Sequence, residues 1–318
     1  MKNLTIVVTV HNDIENLEAC LNSCNNIECD ILVGITSNNS KAFDIADNFT
    51  KSISYIGFDN DFSRSKNDLL KIVKSNWVLF LESHEIIVRG HEEISDICNG
   101  EGCYRINLIQ DQIITKPIRL WSINKNLYFK NPIYENVKYD ASFSNIYIKS
   151  SPYNDLELNL KILQKWQERL PLALEPIYYK SCIFLSQMKW DDYINTANHF
   201  LFKETNHSIS HVMTKYYLGI VYCYVKKDYQ NSIKCALECL IKKPLMAEFW
   251  CLLGDIYYSL DRYEKAYHFY ENAKILGSRR LKNDEWPFQL DKYKATPEKM
   301  MLSCQQMIND SKNYMINK

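Results

Sequence analysis

The run Trp77-Val78-Leu79-Phe80-Leu81, followed at once by Glu82-Ser83-His84-Glu85, decides how the first half of this 318-residue chain is read. Five consecutive apolar residues, without polar alternation and of strand length, describe a strand buried on both faces. The carboxylates and imidazole at its carboxyl end stand where open α/β sheets bind ligands. Upstream, Leu4 to Val10 is a second apolar, β-branched run, and it delivers His11-Asn12-Asp13. Ile14 to Cys24 follows with Leu17, Cys20, Leu21 and Cys24 at helical spacing. Ile31 to Ile35, the polar turn Thr36 to Ser40 and a helix with Phe43, Ile45, Ala46 and Phe49 repeat the order. Ile53 to Ile56 and the helix Ser65 to Val73 lead back to Trp77. Strands alternating with helices imply right-handed crossovers and an α/β domain with a mainly parallel sheet.

Beyond residue 155 the strand patterns stop, and aromatic and small residues recur at i, i+3, i+4 and i+7 to the end. Trp250-x-x-Leu253-Gly254-x-x-Tyr257, then Ala266, Tyr270 and Ala273, resembles a tetratricopeptide repeat in register. One repeat upstream stand Leu218-Gly219-x-x-Tyr222, Ser232, Ala236, Cys239 and Pro244, and a weaker copy runs through Ser181, Tyr193 and Ala197. Small residues in such repeats let paired helices approach while aromatics fill the gaps. The Tyr216, Tyr217, Tyr222 and Tyr224 stripe reads as core filling. Residues 1–155 are therefore expected to form the α/β domain and residues 156–318 an all-α repeat domain.

Composition agrees with two ordinary cores: 46% of residues are hydrophobic and 24% charged, which sets disorder aside. No apolar run is long enough for a secretory h-region or a membrane span, so the expected location is cytoplasmic. None of the eleven cysteines forms a C-x-x-C pair, and most sit in periodic apolar segments, as reduced, buried thiols do. The net charge of zero conceals a division. Residues 1–155 hold 15 Lys+Arg against 20 Asp+Glu, or −5, and residues 156–318 hold 23 against 18, or +5. Such segregation serves to dock domains or to steer an acidic partner.

Four segments carry a resemblance to one family. Val8-Thr9-Val10-His11-Asn12-Asp13, with Glu15, Asn16, Leu17, Cys20, Leu21 and Ser23 behind it, is similar to the opening V-x-N-E-E-x-N-L-x-x-C-L-x-S of the family-2, GT-A-type glycosyltransferases. Asp61-Phe62-Ser63-Arg64-Ser65-Lys66-Asn67 resembles that family's D-F-(S/A)-x-A-R-N, with lysine for arginine. Residues 77–85 resemble its W-x-L-F-L-D-A-D-E, the D-x-D having become Glu82-Ser83-His84. Arg119-Leu120-Trp121, then Phe129 and Tyr134-Glu135, resembles the R-L-F … F-x-G-x-x-H-E of members that carry C-terminal tetratricopeptide repeats, among them the bacteriocin S-glycosyltransferases.

The resemblance implies a Rossmann-like GT-A domain that transfers a sugar, with inversion, from a nucleotide-sugar donor to a peptide, glycan or nucleic-acid acceptor. It implies Glu135 as general base and His11, Asn12, Asn38, Lys66, Asn67, Glu82, Ser83 and Arg119 around the donor. Glu82 and His84 become the ligands of a divalent cation, for which imidazole favours Mn²⁺ over Mg²⁺. The departures fall on polar positions. The aspartate expected to contact the nucleoside is Ile35, the later histidine is Tyr134, and a distal histidine region has become Ser150-Ser151-Pro152-Tyr153. A rival expectation is an inactive GT-A/repeat protein acting as a binding scaffold. A protein or glycan acceptor is favoured over nucleic acid, since Lys242-Lys243 and Arg279-Arg280-x-Lys282 are short basic clusters without a recognition motif. The repeat region is expected to hold part of the acceptor.

Overall fold

The computed structural model describes residues 2–37, 39–151, 155–280 and 284–316. The chain forms two compact units, Met1–Ile162 with Glu285–Phe288, and Leu163–Asp284 with Gln289–Lys318.

In the first unit the buried apolar runs become β1 (Leu4–Val10), β2 (Asp30–Ile35), β3 (Ile53–Tyr55) and β4 (Trp77–Glu82). Between them lie α1 (Leu17–Asn22), α2 (Ser40–Asp47) and α3 (Phe62–Leu70). The order β4-β1-β2-β3 is parallel throughout, with Val8 paired to both Val33 and Leu81. The remaining strands are β5 (Glu85–Arg89), β6 (Cys103–Gln110), β7 (Ile113–Thr115), β8 (Ile118–Ser122) and β9 (Ser142–Ser150), with α4 (His91–Ile97) after β5. Here β8 runs antiparallel to β4, and β6 antiparallel to both β7 and β8. β9 pairs antiparallel with β5 and parallel with β6.

The sheet is thus mixed, which corrects the expectation of a mainly parallel one. The physical reason lies in the connections. Only Asp111-Gln112 and Lys116-Pro117 separate β6, β7 and β8, too little chain for the helical crossover that a parallel pair needs. Asp111 adopts the left-handed φ of 53° that such a hairpin turn favours.

β4 is central and buried on both faces, as its sequence requires. Leu79 and Leu81 join β1 side chains under α1, α2 and α4, while Val78 and Phe80 pack with Leu69 of α3, Trp121 and Phe129 on the other face. The chain passes from β1 to β2 on one side and reaches β4 on the other side of β1. The carboxyl ends of β1 and β4 therefore diverge from a switch point, the place where open α/β sheets leave a crevice.

The second unit is helical. It comprises the end of α5 (Leu156–Arg169), then α6 (Glu175–Ser186), α7 (Trp190–Lys203), α8 (Ile209–Val221), α9 (Tyr229–Lys242), α10 (Ala247–Ser259), α11 (Tyr263–Gly277) and α12 (Ala295–Ile316). Consecutive helices pack in pairs, α6 on α7, α8 on α9 and α10 on α11, with α12 closing against α11. Small residues sit at these crossings. Ser232 donates to the Gly219 carbonyl at 2.7 Å, and Tyr270 lies over Gly254 with its hydroxyl donating to Asp255. Tyr216 is buried as core filling, whereas Tyr224 is half exposed. All eleven thiols are free and nine are buried, and burial pushes Cys24 up to about 12. Among the described residues, no helix is long and apolar enough to cross a membrane.

A Cβ added at Gly254 would stand 2.6 Å from the Tyr270 ring, whereas one added at Gly57 meets nothing within 4 Å. Gly254→Ala is expected to cost about 1–3 kcal/mol by overpacking. Gly57→Ala should change stability by less than about 0.5 kcal/mol, and urea-unfolding midpoints check both.

Candidate active site

A cavity of about 300 Å³ opens at the carboxyl ends of β1 and β4, entirely within the first unit. β1 delivers His11 and Asp13 to it, β4 and its turn deliver Glu82, Ser83, His84 and Glu85, α3 delivers Lys66, β8 delivers Arg119, and the loop before β9 delivers Glu135.

Lys66 is the centre of the arrangement. Its side chain is only 4% exposed, and its ammonium reaches Glu82 Oε1 at 2.9 Å and also contacts Glu135. Arg119 lies beside it, 3.3 Å from Glu85 Oε1 and 3.6 Å from Glu82 Oε1. Glu85 is 2% exposed, and its other oxygen accepts from the Glu82 backbone N–H at 2.9 Å. Its carboxylate closes the turn after β4 and anchors Arg119. On the far side of Glu82, Oε2 stands 3.7 Å from His84 Nε2, while His84 Nδ1 is 3.6 Å from Asp13 Oδ2.

Burial opposes charge on Lys66, Glu82 and Glu85, and the neighbours decide the outcome. For Lys66, burial alone would lower the pKa, but Glu135 and Glu82 outweigh it and raise it. Burial raises Glu82, yet Lys66, Arg119 and His84 together hold it far below the usual carboxylate range. Glu85 moves upward, because burial and the charge on Glu82 exceed what Arg119 returns. His11 is lowered by burial, against an opposing pull from Asp155.

The loop that carries Glu135 is fixed by apolar and amide contacts. Phe129 is 3% exposed and meets Phe80 and Trp121 edge-on at 4.8 and 5.6 Å. Asn67 brackets Phe129, donating to its carbonyl at 2.9 Å and accepting from its N–H at 2.8 Å. The Phe62 N–H donates to the Pro132 carbonyl at 2.8 Å. Tyr134 adopts a φ of 51°, a region that costs a bulky residue free energy and occurs where the surroundings impose it.

Of the residues expected around the donor, His11, Lys66, Glu82, Ser83 and Arg119 line the cavity, together with His84 and Glu135. Asn12 is exposed and lies outside the lining, and both amide atoms of Asn67 are occupied by Phe129. Asn38 and residues 152–153 lie outside the described residues. Ile35 is 1% exposed and belongs to the core, so it offers the cavity no polar contact. The sequence alone assigns Asp13 no role, and Glu85 none beyond its place at a strand end. Both stand beside residues expected in the site, and exposures of only 8% and 2% are what distinguish them from solvated carboxylates.

No family model matches the chain, and no curated protein matches it. Among solved structures it is similar to MamA, residues 41 to the end, from Desulfovibrio magneticus RS-1, with 19% identity, 48% of this chain and 85% of that one covered, and a TM-score of 0.35. It is also similar to the Sgt2 TPR domain from Aspergillus fumigatus, with 9% identity, 44% and 82% covered, and a TM-score of 0.35.

The ionic cluster predicts an acid limit to stability. Because the Glu82 pKa is depressed on folding, its contribution is full above its ordinary value near 4.5, declines below it and is lost only as pH falls through the much lower folded value. Glu85, raised on folding, works in the opposite sense and favours the fold more as it gains its proton. Glu82→Gln should therefore be less stable than wild type at pH 7, with most of the gap still present at pH 4 and narrowing as the pH is lowered further toward the folded value. Urea midpoints measured at the two pH values check this.

Proposed function

We propose that the first unit is a nucleotide-sugar-dependent, inverting glycosyltransferase domain of the GT-A type, and that the helical unit is a tetratricopeptide-like module that recruits the acceptor. One observation carries this reading: Lys66, Glu82, Arg119 and Glu135, far apart in sequence, meet in one cavity at the sheet's switch point. That is the place and the chemistry that a diphosphate-linked donor requires.

In the proposed reaction an acceptor hydroxyl or thiol attacks the anomeric carbon in line with the departing diphosphate. The bond from that carbon to the diphosphate oxygen breaks and the bonding pair leaves with the nucleotide. The acceptor proton passes to the Glu135 carboxylate. Lys66 and Arg119 are fixed in place before the reaction and face the charge that grows on the leaving group.

The charge in the cavity bears on the divalent cation. Asp13, Glu82, Glu85 and Glu135 outnumber Lys66 and Arg119, so a diphosphate alone would meet a surplus of negative charge. Glu82 Oε2 and His84 Nε2, 3.7 Å apart, are spaced to share one ion. Among the described residues no third such group joins them, so the donor phosphates would complete the coordination. The donor set therefore fits a cation that arrives with the nucleotide, Mn²⁺ in preference to Mg²⁺. When bound, it would neutralise phosphate charge.

A second reading, a binding scaffold that has lost donor chemistry, is favoured by two specific features. Ile35 is buried where a nucleoside contact is expected, and both cations are already paired with carboxylates.

Thermal shift with a panel of nucleoside diphosphates, with Mn²⁺, with Mg²⁺ and with excess chelator, separates the two. A bound nucleotide at a hundredfold excess over Kd adds about 2.7 kcal/mol to stability, a shift of several degrees. The expected result is a shift that is largest with Mn²⁺ and is lost in Arg119→Gln. Arg64→Gln, on the exposed face of α3, should retain it. No shift with any nucleotide under any ion would leave the scaffold reading.

A further inference from the structure

A second cavity, of about 440 Å³, adjoins the first within the same unit. Arg119 and Glu135 line both. The other walls include Arg105 of β6, Asn136, Lys138 and Glu285. Three buried polar atoms on these walls have no hydrogen-bond partner among the described residues: Arg105 Nε, Arg119 Nη1 and Asn136 Oδ1. Two of them belong to guanidinium groups whose other nitrogens are engaged. Arg105 donates from Nη1 to the Lys116 carbonyl at 3.1 Å and from Nη2 to Glu285 at 2.5 Å. Arg119 donates from Nη2 to Glu85.

Buried donors without acceptors cost free energy unless a ligand or water satisfies them. Here the two guanidinium groups that carry such donors both line one cavity, which Lys138 lines as well. Guanidinium N–H groups match the geometry of planar or tetrahedral oxyanions better than any neutral ligand. The amide of Asn136 can turn to present either its oxygen or its nitrogen. Glu285 already occupies one edge of Arg105, as an internal counter-ion of the same chemistry.

We propose that this second cavity is the acceptor subsite, and that it takes an acceptor bearing an oxyanion, a phosphate or a carboxylate, held by Arg105, Arg119 and Lys138. The assignment of the acceptor rests on the glycosyltransferase reading, because it is Glu135, bordering both cavities, that would take a proton from an acceptor in one while facing a donor in the other. The oxyanion site itself rests only on the cavity and on the Arg105, Arg119 and Lys138 side chains that line it.

Isothermal titration of the full chain with inorganic phosphate and, separately, with acetate tests the site. Each titration is run alone and with Mn²⁺ and a saturating concentration of the nucleoside diphosphate that gives the largest thermal shift, which confine the anion to the second cavity. The expected result is saturable binding that Arg105→Gln weakens roughly tenfold, the loss of one charge-assisted contact. Lys138→Gln, an exposed side chain whose loss the fold tolerates, should weaken it by a smaller factor. Glu285→Gln should strengthen it, since the competing carboxylate is gone. Preference for phosphate over acetate, or the reverse, identifies the acceptor's anionic group. Phosphate and acetate affinities unchanged in both Arg105→Gln and Lys138→Gln, or a weakening in Glu285→Gln, would overturn the site. If no nucleoside diphosphate binds while Arg105-dependent anion binding persists, the oxyanion site is supported and its role toward an acceptor is overturned. If one binds and the anion does not, the glycosyltransferase reading survives and this site falls.

Discussion

The ammonium of Lys66, held between Glu82 at the end of β4 and Glu135 in the loop before β9, is the contact on which the cavity depends. It joins three parts of the chain that secondary structure alone would leave independent. A charge this deeply buried is costly unless it is paired, and removing one member of such a pair leaves the other stranded. Arg119 and Glu85 extend the pairing to β8 and to the turn after β4, so each charge in the group has a partner of opposite sign. The network fixes side chains before any ligand arrives, which is what electrostatic catalysis needs. The same completeness limits it, because the cations that would receive a phosphate are already shared with carboxylates.

The cluster explains why neighbouring residues of similar type play different parts. Asn67 and Lys66 are adjacent on α3, and both resemble donor contacts by sequence. The helix turns Lys66 into the cavity and Asn67 toward Phe129, where its amide holds the loop that carries Glu135. Asn67 thus serves the site by position rather than by contact. Glu82 and Glu85 likewise differ. The first is drawn down chiefly by Lys66 and Arg119, and the second is raised by burial beside a like charge. Environments that push paired titratable groups apart are a recurrent mark of chemical sites.

Much of this was legible before any coordinates. Unbroken apolar runs gave β1, β2 and β4, because a strand covered on both faces leaves no room for polar alternation. The repeat spacing around Gly219 and Gly254 gave the helix pairs, because close helix approach requires small residues at fixed intervals. The antiparallel half of the sheet was not legible. Its strands, such as β6 with Tyr104, Arg105 and Asn107, mix polar and apolar residues and are joined by short turns whose pairing partners lie far along the chain. The second cavity was hidden for a related reason. Arg105 and Glu285 are brought together only by tertiary structure, and nothing local marks either as part of a site.

The buried contact couples Lys66 and Glu135 energetically, and a double-mutant cycle on unfolding measures that coupling directly. Wild type, Lys66→Met, Glu135→Gln and the double variant are compared by urea denaturation at pH 7. A coupling of about 1–3 kcal/mol is expected, as residues sharing one buried ionic contact show. Additivity of the two single effects to within about 0.5 kcal/mol would contradict it, since independent sites behave in that way.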